Sequence, residues 1–340
     1  VRIKSRTLTT SNTFETFDAI GLREELADKI WQITPEKVPF LSLIGRKPIK
    51  TTHPEWQTDT LGSPDTDNNQ PEGNDWSYDA IVATTRVGNY AQISEKSFLI
   101  SRTQENTDKA GRKSELARET AKKSTELKID MEVICLSNQA SSAGSGNGAT
   151  NRKLGGFRAW LTTNDSLGGG GGASGSFSAG IVNAATNGNQ RALTKALIDD
   201  VVLSTANAGG EARVLMMSNY NKTVSSRFLD DADVVPLRKE LGKGAATIVG
   251  AADAYLTDFG LITFVPNVQM TRAGAGTARN VFLIDPSMVT LGVFDDIQVN
   301  KPAKTGDAEK RVLNVEYSLI CNNEAAHGVV ADTYGISASS

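Results

Sequence analysis

Residues 107–137 read T-D-K-A-G-R-K-S-E-L-A-R-E-T-A-K-K-S-T-E-L-K-I-D-M-E-V-I-C-L-S, with no proline and only Gly111 against a helix. Leu116, Thr120, Ser124, Leu127, Met131 and Ile134 recur at helical spacing and trace one stripe. Glu105/Lys109, Asp108/Arg112 and Glu119/Lys123 are i,i+4 pairs in the favourable order. The pattern predicts one helix of roughly 45 Å. Its first half is polar nearly all round, whereas 129–136 is apolar nearly all round. Such a helix begins on a surface and ends in a core.

Ahead of it, 62–73 is rich in Pro, Asp, Asn and Gly and reads as a loop. Strand-like runs at 55–61 and 80–100 flank that loop, so 51–100 is predicted to be an extended hairpin. A lone hairpin is marginal in water and needs support, from the chain's own core or from a neighbouring subunit. Between 51 and 85 there is no Lys or Arg, while Glu55, Asp59, Asp65, Asp67, Glu72, Asp75 and Asp79 are acidic. The following stretch carries Arg102, Lys109, Arg112, Lys113, Arg118, Lys122, Lys123 and Lys128 among interspersed acids. The asymmetry points to contact between the two kinds of surface.

Residues 1–20 are polar, with Phe14 and Phe17 the only large anchors, and read as an arm lying on something else. Leu22, Leu26, Ile30 and Ile33 then recur at helical spacing until Pro35 stops the run. An apolar knot at 39–45 is closed by glycine. On the far side of the long helix, 140–150 reads as a small-residue linker and 168–175 as a glycine tract that cannot pack. An α/β pattern follows. Residues 192–205 are helical, with Leu193, Leu197, Val201 and Val202 on one face, and 214–217 is a buried strand. Ser218 is a candidate N-cap for a helix running to Phe228. Strands are expected at 261–265, 281–284 and 289–294. From Leu313 to Cys321 apolar and polar residues alternate, predicting a long half-buried strand. No internal repeat is present.

The chain has 340 residues, 39% of them hydrophobic, which fits about two domains. No apolar run approaches the ~20 residues that span a bilayer, and no apolar core follows the basic first six residues, so no signal peptide is expected. Cys135 and Cys321 sit in apolar stretches and read as buried free thiols made in a reducing cytoplasm. A net charge of −3 argues against a dedicated nucleic-acid binder. His53 and His327 are far apart and lack a zinc-like partner pattern. No G-x-S-x-G elbow or Walker loop occurs, and 144–149 lacks the lysine of a phosphate loop. Asp230/Asp231 and Asp295/Asp296 read as solvated turn or capping acids rather than a catalytic dyad. Trp56, Trp76 and Tyr78, set among acids, suit a protein surface better than a nucleic acid. No catalytic, metal or cofactor site is expected.

Several short segments, in order, resemble one family. Ile33-Thr34-Pro35-Glu36-Lys37-Val38-Pro39-Phe40-Leu41 resembles the I-T-P-x-x-T-P-F opening of a family of tailed-phage major capsid proteins, with Val38 where Thr is usual. His53-Pro54-Glu55-Trp56-Gln57-Thr58-Asp59 is similar to its H-E-W-Q-x-D segment, with Pro54 an insertion. Arg86-Val87-Gly88-Asn89-Tyr90-Ala91-Gln92-Ile93, Ser101-Arg102-Thr103-Gln104-Glu105, Glu126-Leu127-Lys128-Ile129-Asp130-Met131-Glu132 and Ala303-Lys304-Thr305-Gly306-Asp307 are similar too. So is Glu316-Tyr317-Ser318-Leu319, against E-Y-x-L.

The resemblance implies an α+β protein of the Hong Kong 97-type capsid fold. The expected parts are an N-terminal arm (1–35), the start of a peripheral domain (36–50), the extended hairpin or E-loop (51–100) and a peripheral domain with its spine helix (101–150). An axial domain (151–285) and return strands with the C-terminus (286–340) complete it. The implied function is a major capsid protein, not an enzyme, that self-assembles into pentamers and hexamers of an icosahedral shell. That shell would be assembled in the host bacterial cytoplasm and enclose double-stranded DNA without sequence specificity. Portal, scaffold and cement proteins would be its other partners, with no membrane involved. Expected intersubunit residues are Phe14, Phe17, Trp56, Glu55, Asp59, Glu72 and Asp75, with Arg112, Lys113, Lys122 and Lys123 facing the acids. An encapsulin-like shell is the alternative, ahead of an α/β hydrolase or a surface adhesin.

Overall fold

A computed structural model describes residues 33–75, 78, 80–108, 111, 113–145, 148–230 and 253–338. Phe14, Phe17, Trp76, Lys109 and Arg112, the helical run from Leu22 to Ile30, and Asp231 lie outside the described residues.

The first elements are helix α1 (Pro39–Leu43) and strands β1 (Gly45–Pro48), β2 (Glu55–Thr58), β3 (Thr85–Gly88) and β4 (Gln92–Ser101). Helices α2 (Arg102–Asn106), α3 (Glu115–Leu136) and α4 (Phe157–Trp160) follow, then β5 (Asp165–Ser166), β6 (Ser176–Ser178) and β7 (Ile181–Asn183). The α/β region comprises α5 (Lys195–Asn207), β8 (Val214–Met217), α6 (Asn219–Ser226), β9 (Ala254–Thr257), β10 (Gly260–Pro266), α7 (Val268–Arg272), α8 (Ala275–Ala278) and β11 (Val281–Ile284). The chain returns through β12 (Val289–Asn300), β13 (Ala308–Cys321) and β14 (Gly328–Val330).

Two sheets organise these elements. One has the order β1-β12-β13-β4, antiparallel except for β1 beside β12. The other has the order β5-β14-β11-β8-β10-β9 and is mixed, with β8 parallel to β10. Leu127, Met131 and Cys135 of α3, spaced four residues apart, join Leu313, Val315 and Tyr317 of β13 in the larger core. Met216, Phe282, Ile284 and Val329 of the six-stranded sheet enter that same core. A second core forms where Ile198, Val201 and Val202 of α5 meet Leu215, Met217, Leu283 and Val330. Cys135 and Cys321 are both buried and free.

The long helix is shorter than its sequence predicts. It begins at Glu115, because Gly111 takes a positive φ of 76° and α2 has already ended at Asn106. Glu105 folds back onto the start of α3. Its carboxylate accepts from Ser114 Oγ at 2.7 Å and from the backbone N–H groups of Glu115 (3.1 Å) and Leu116 (3.2 Å). A negative charge on the exposed N–H groups of a first turn is favourable, so the reversal has a physical reward. Glu119, expected to pair with Lys123, instead pairs with Arg118 at 3.0 Å.

Glu132 lies in the apolar end of α3 and is fully buried. Its carboxylate caps α1 by accepting from the N–H groups of Phe40 and Leu41, both at 2.8 Å, and it also accepts from Asn267 Nδ2 at 2.7 Å. Burial pushes its pKa above the usual carboxylate range, and the three donors pull it back. The apolar knot is thus a short capped helix tied to α3.

Two further expectations are corrected. The tract at 168–175 is closely packed at its two ends, although residues 169–171 between them are exposed. A Cβ on Gly168 would lie 2.1 Å from the carbonyl oxygen of Asn189, and one on Gly175 2.0 Å from that of Ala159. Asp332 accepts from the Gly168 and Gly188 N–H groups at 3.1 and 2.9 Å, fixing the tract from the C-terminal side. The return strand is not half-buried along its length, because 317–321 is buried on both faces between β12, the start of β4 and the core. Asp295 and Asp296 sit at bulges of β12, outside any turn.

Candidate intersubunit surface

The hairpin is real but its second strand is split. β2 and β3 form a two-stranded stem of their own, from Glu55↔Gly88 to Thr58↔Thr85, whereas β4 belongs to the four-stranded sheet. The break falls at 89–91 and is caused by Asn89. Its fully buried side chain donates to the carbonyls of Gly155 (3.0 Å) and Leu319 (2.8 Å). It accepts from the N–H groups of Gly155 (2.7 Å) and Tyr90 (3.0 Å). These four bonds turn the backbone away from the stem before β4 begins. Nearby, His53 stacks on Tyr90 at 4.1 Å.

Trp56, expected to reach a neighbour, faces its own subunit. Its ring lies 5.5 Å from Trp160, which in turn stacks on Phe177 at 5.7 Å. An indole is large enough to anchor a four-residue stem that cannot bury itself, and here it does so from the chain's own core. Glu55 is likewise engaged locally, with Arg86 at 3.4 Å and His53 at 3.7 Å.

Beyond the stem the picture reverses. The described residues of 59–84 form no helix or strand and are exposed. Leu61 is 99% exposed and Ile81 98%, and Tyr78 and Val82 are nearly as open. Asp59, Glu72 and Asp75 are exposed on the same excursion. Ile81 and Val82 are adjacent, and apolar side chains standing together in water mark an interaction surface more often than an idle one.

Of the cations expected opposite the acids, Lys113 and Lys122 are exposed, and Lys123 pairs with Glu126 within α3 at 2.8 Å. Lys122 lines an open groove with Arg118, Thr125 and Ile129 of α3, together with Ile33 and Arg272. Within one chain the acids of the excursion make no ion pair with these lysines among the described residues, so the two surfaces are not joined there.

No group of three or more His, Cys, Asp or Glu side chains is arranged to hold a metal among the described residues. His53 and His327 are separate, and His327 is fully buried, its Nδ1 accepting from the Asp285 N–H at 3.1 Å. Sequence reasoning missed Asn89, Glu105, Glu132 and Asp332. Each acts through backbone groups distant along the chain, which leave no local pattern.

The architecture is that of solved phage capsids. The chain superposes on a protein of Gordonia phage Cozz with a TM-score of 0.61 at 12% identity, covering 96% of this chain and 98% of that one. A cyanophage A-1(L) capsid asymmetric unit matches with a TM-score of 0.58 at 14% identity, over 94% and 98% of the two chains. The capsid of a native GTA particle gives 0.59 at 13% identity, over 94% and 97%. The fold expected from the sequence, of the Hong Kong 97 type, is therefore the fold the chain has. By sequence, the major capsid protein of Escherichia phage Phieco32 is 35% identical over 127 residues, which is 37% of this chain and 36% of that relative. That match spans little more than a third of the relative's length. The model of the SU10 major capsid protein family, by contrast, matches residues 7–334, and the chain belongs to that family.

Proposed function

We propose that this chain is the repeating subunit of an icosahedral shell of pentamers and hexamers that encloses the double-stranded DNA of a tailed phage. The family match over nearly the whole chain carries the reading. The exposed apolar excursion supports it, because its side chains have no cover among the described residues of one subunit. The function is mechanical, and the polypeptide contributes surfaces rather than chemistry. In this reading 51–91 is the E-loop on its fixed stem. The four-stranded sheet with α3 is the peripheral domain, and the six-stranded sheet lies in the axial domain. Assembly takes place in the host cytoplasm with scaffold, portal and cement partners, and the DNA lies against the inner face without sequence recognition. The acids Asp59, Glu72 and Asp75 are assigned to contact with Lys113 and Lys122 of a neighbouring copy.

Electron microscopy of the purified protein, alone and with its scaffold, tests this. Closed icosahedral particles, with DNA in the virion, are expected. Monomers or small oligomers under every condition would refute the shell, and particles filled with an enzyme would replace the genome container with an encapsulin-like compartment.

A further inference from the structure

Strand β4 ends the four-stranded sheet. Its ten residues pair with β13 from Gln92 to Ser101 without a register shift. Among the described residues its backbone bonds to no other element. An antiparallel strand offers its hydrogen-bonding groups alternately to either side, so about half of those in β4 point away from β13. A straight edge of this length is a template for another strand, and proteins ordinarily cover, bulge or charge it. Here it is neither bulged nor covered among the described residues, and its two charges, Glu95 and Lys96, sit at its centre, with Lys96 already paired to Asp130 of α3 at 2.6 Å. On its outer face stand Ile93 and Leu99, 59% and 61% exposed.

Residues 80–84 read A-I-V-A-T, uncharged and rich in strand-forming residues, yet they form no strand. Ile81 and Val82 are adjacent, and both are almost fully exposed. Adjacent strand residues point to opposite faces, so pairing with an edge would cover both at once. One would lie along the Ile93 and Leu99 face and the other toward the helix side of the sheet. The segment is carried away from its own β4, because β3, which follows it, pairs with β2 and not with β4.

We propose that in the assembled shell residues 80–84 of one copy add to the β4 edge of a second copy, extending its four-stranded sheet by one intersubunit strand. Backbone pairing would hold the strand and the apolar pair would set its register, the usual division of labour in strand addition. This rests on the shell reading above.

The test co-assembles Ile81→Cys chains with Leu99→Cys chains, and the register is scanned by substituting Val82→Cys and Ile93→Cys in the same way. Both native cysteines are buried, so background linkage is low. After mild oxidation, non-reducing electrophoresis should show loss of the 36.2 kDa band in favour of linked pairs for at least one combination. Leu256→Cys, on the exposed β9 of the other sheet, serves as control and should leave the band unchanged. Normal particles without linkage in any combination, or equal linkage to the control, would overturn the inference and leave the shell reading intact. A double variant that links within one chain would assign the edge to the chain's own loop and overturn it as well. Failure of the wild-type protein to form particles at all, seen before any oxidation, would remove both.

Discussion

Replacing Asn89 with alanine should loosen the root of the hairpin and impair assembly through stability rather than through any lost surface contact. The substitution strips hydrogen bonds from the carbonyls of Gly155 and Leu319 and from the N–H groups of Gly155 and Tyr90. The first three are buried at a junction of α4, β13 and the stem, where an unmatched backbone group costs about 1–3 kcal/mol. Allowing for water entering the vacated space, the loss is about 3–5 kcal/mol, against a total stability of about 5–15 kcal/mol for a domain. Asn89→Asp should be at least as harmful, since a carboxylate oxygen would replace the donor that now faces two carbonyls. Urea unfolding of the unassembled subunit reads this out, because Trp56 and Trp160 lie 5.5 Å apart beside the root and report on it by fluorescence. A midpoint for Asn89→Ala equivalent to less than about 0.5 kcal/mol of destabilisation would refute the reasoning. So would an Asn89→Asp subunit more stable than the alanine variant.

Four other outcomes are expected. Gly175→Ala should abolish soluble folded subunit or lower its melting temperature sharply, because its Cβ would sit 2.0 Å from a backbone oxygen, whereas Gly169→Ala, with nothing within 4 Å and no positive φ, should cost far less. His327 is held neutral by burial, with its pKa lowered from 6.5 to about 4. The unfolded chain therefore takes up a proton that the folded one refuses. Stability should be complete above pH 6.5 and fall by about 1.4 kcal/mol per pH unit from there to about pH 4, and His327→Gln should flatten that slope in equilibrium unfolding. Since 51–85 contains no lysine, a hairpin-tip isopeptide bond has no nucleophile, and boiled shells should run as 36.2 kDa monomers and not as a ladder. Lys113→Glu/Lys122→Glu should reduce particle yield at low salt more than at high salt, each exposed pair being worth only about 0–1 kcal/mol, and an unchanged yield at every salt would mean that the acids do not meet these lysines.

The sequence made legible those parts whose neighbours along the chain are also their neighbours in space. The strand at 281–284 was found to the residue because it is a short apolar run buried on both faces. The C-terminal end of α3 followed from Leu127 and Met131, and Ser218 does cap α6 by accepting from the Asn221 N–H. The start of α3 was misplaced because Glu105 and Leu116 look equally helical until a carboxylate eleven residues upstream is seen on the first turn. The ends of the glycine tract were misread for a different reason. Absence of side chains is the same composition whether it serves freedom or close approach, and only the partner backbones of Ala159 and Asn189 decide between them. The candidate surface was legible in outline, as acids without bases between 51 and 85, but not in its direction. Trp56 reads as a sticky tip residue and is an internal anchor, because what an indole contacts depends on where the stem bends.

That bend explains how one hairpin serves two opposed requirements. For the intersubunit contact proposed above, the arm must be aimed accurately, yet its end must stay unsatisfied until a neighbour arrives. The chain separates the two along its length. At the root, Asn89 has both amide protons and its oxygen bonded to backbone, and Trp56 is packed on Trp160, so the stem has one orientation. Past Thr58 and before Thr84, Asp65, Asp67, Asn69, Gln70 and Asn74 bond only to near neighbours in the chain, while Leu61, Tyr78, Ile81 and Val82 have no apolar cover among the described residues. Apolar groups left in water cost roughly 25 cal/mol per Å² relative to burial. The free subunit therefore stores a driving force that association releases. The fixed stem confines the ordering entropy that offsets it to the excursion itself.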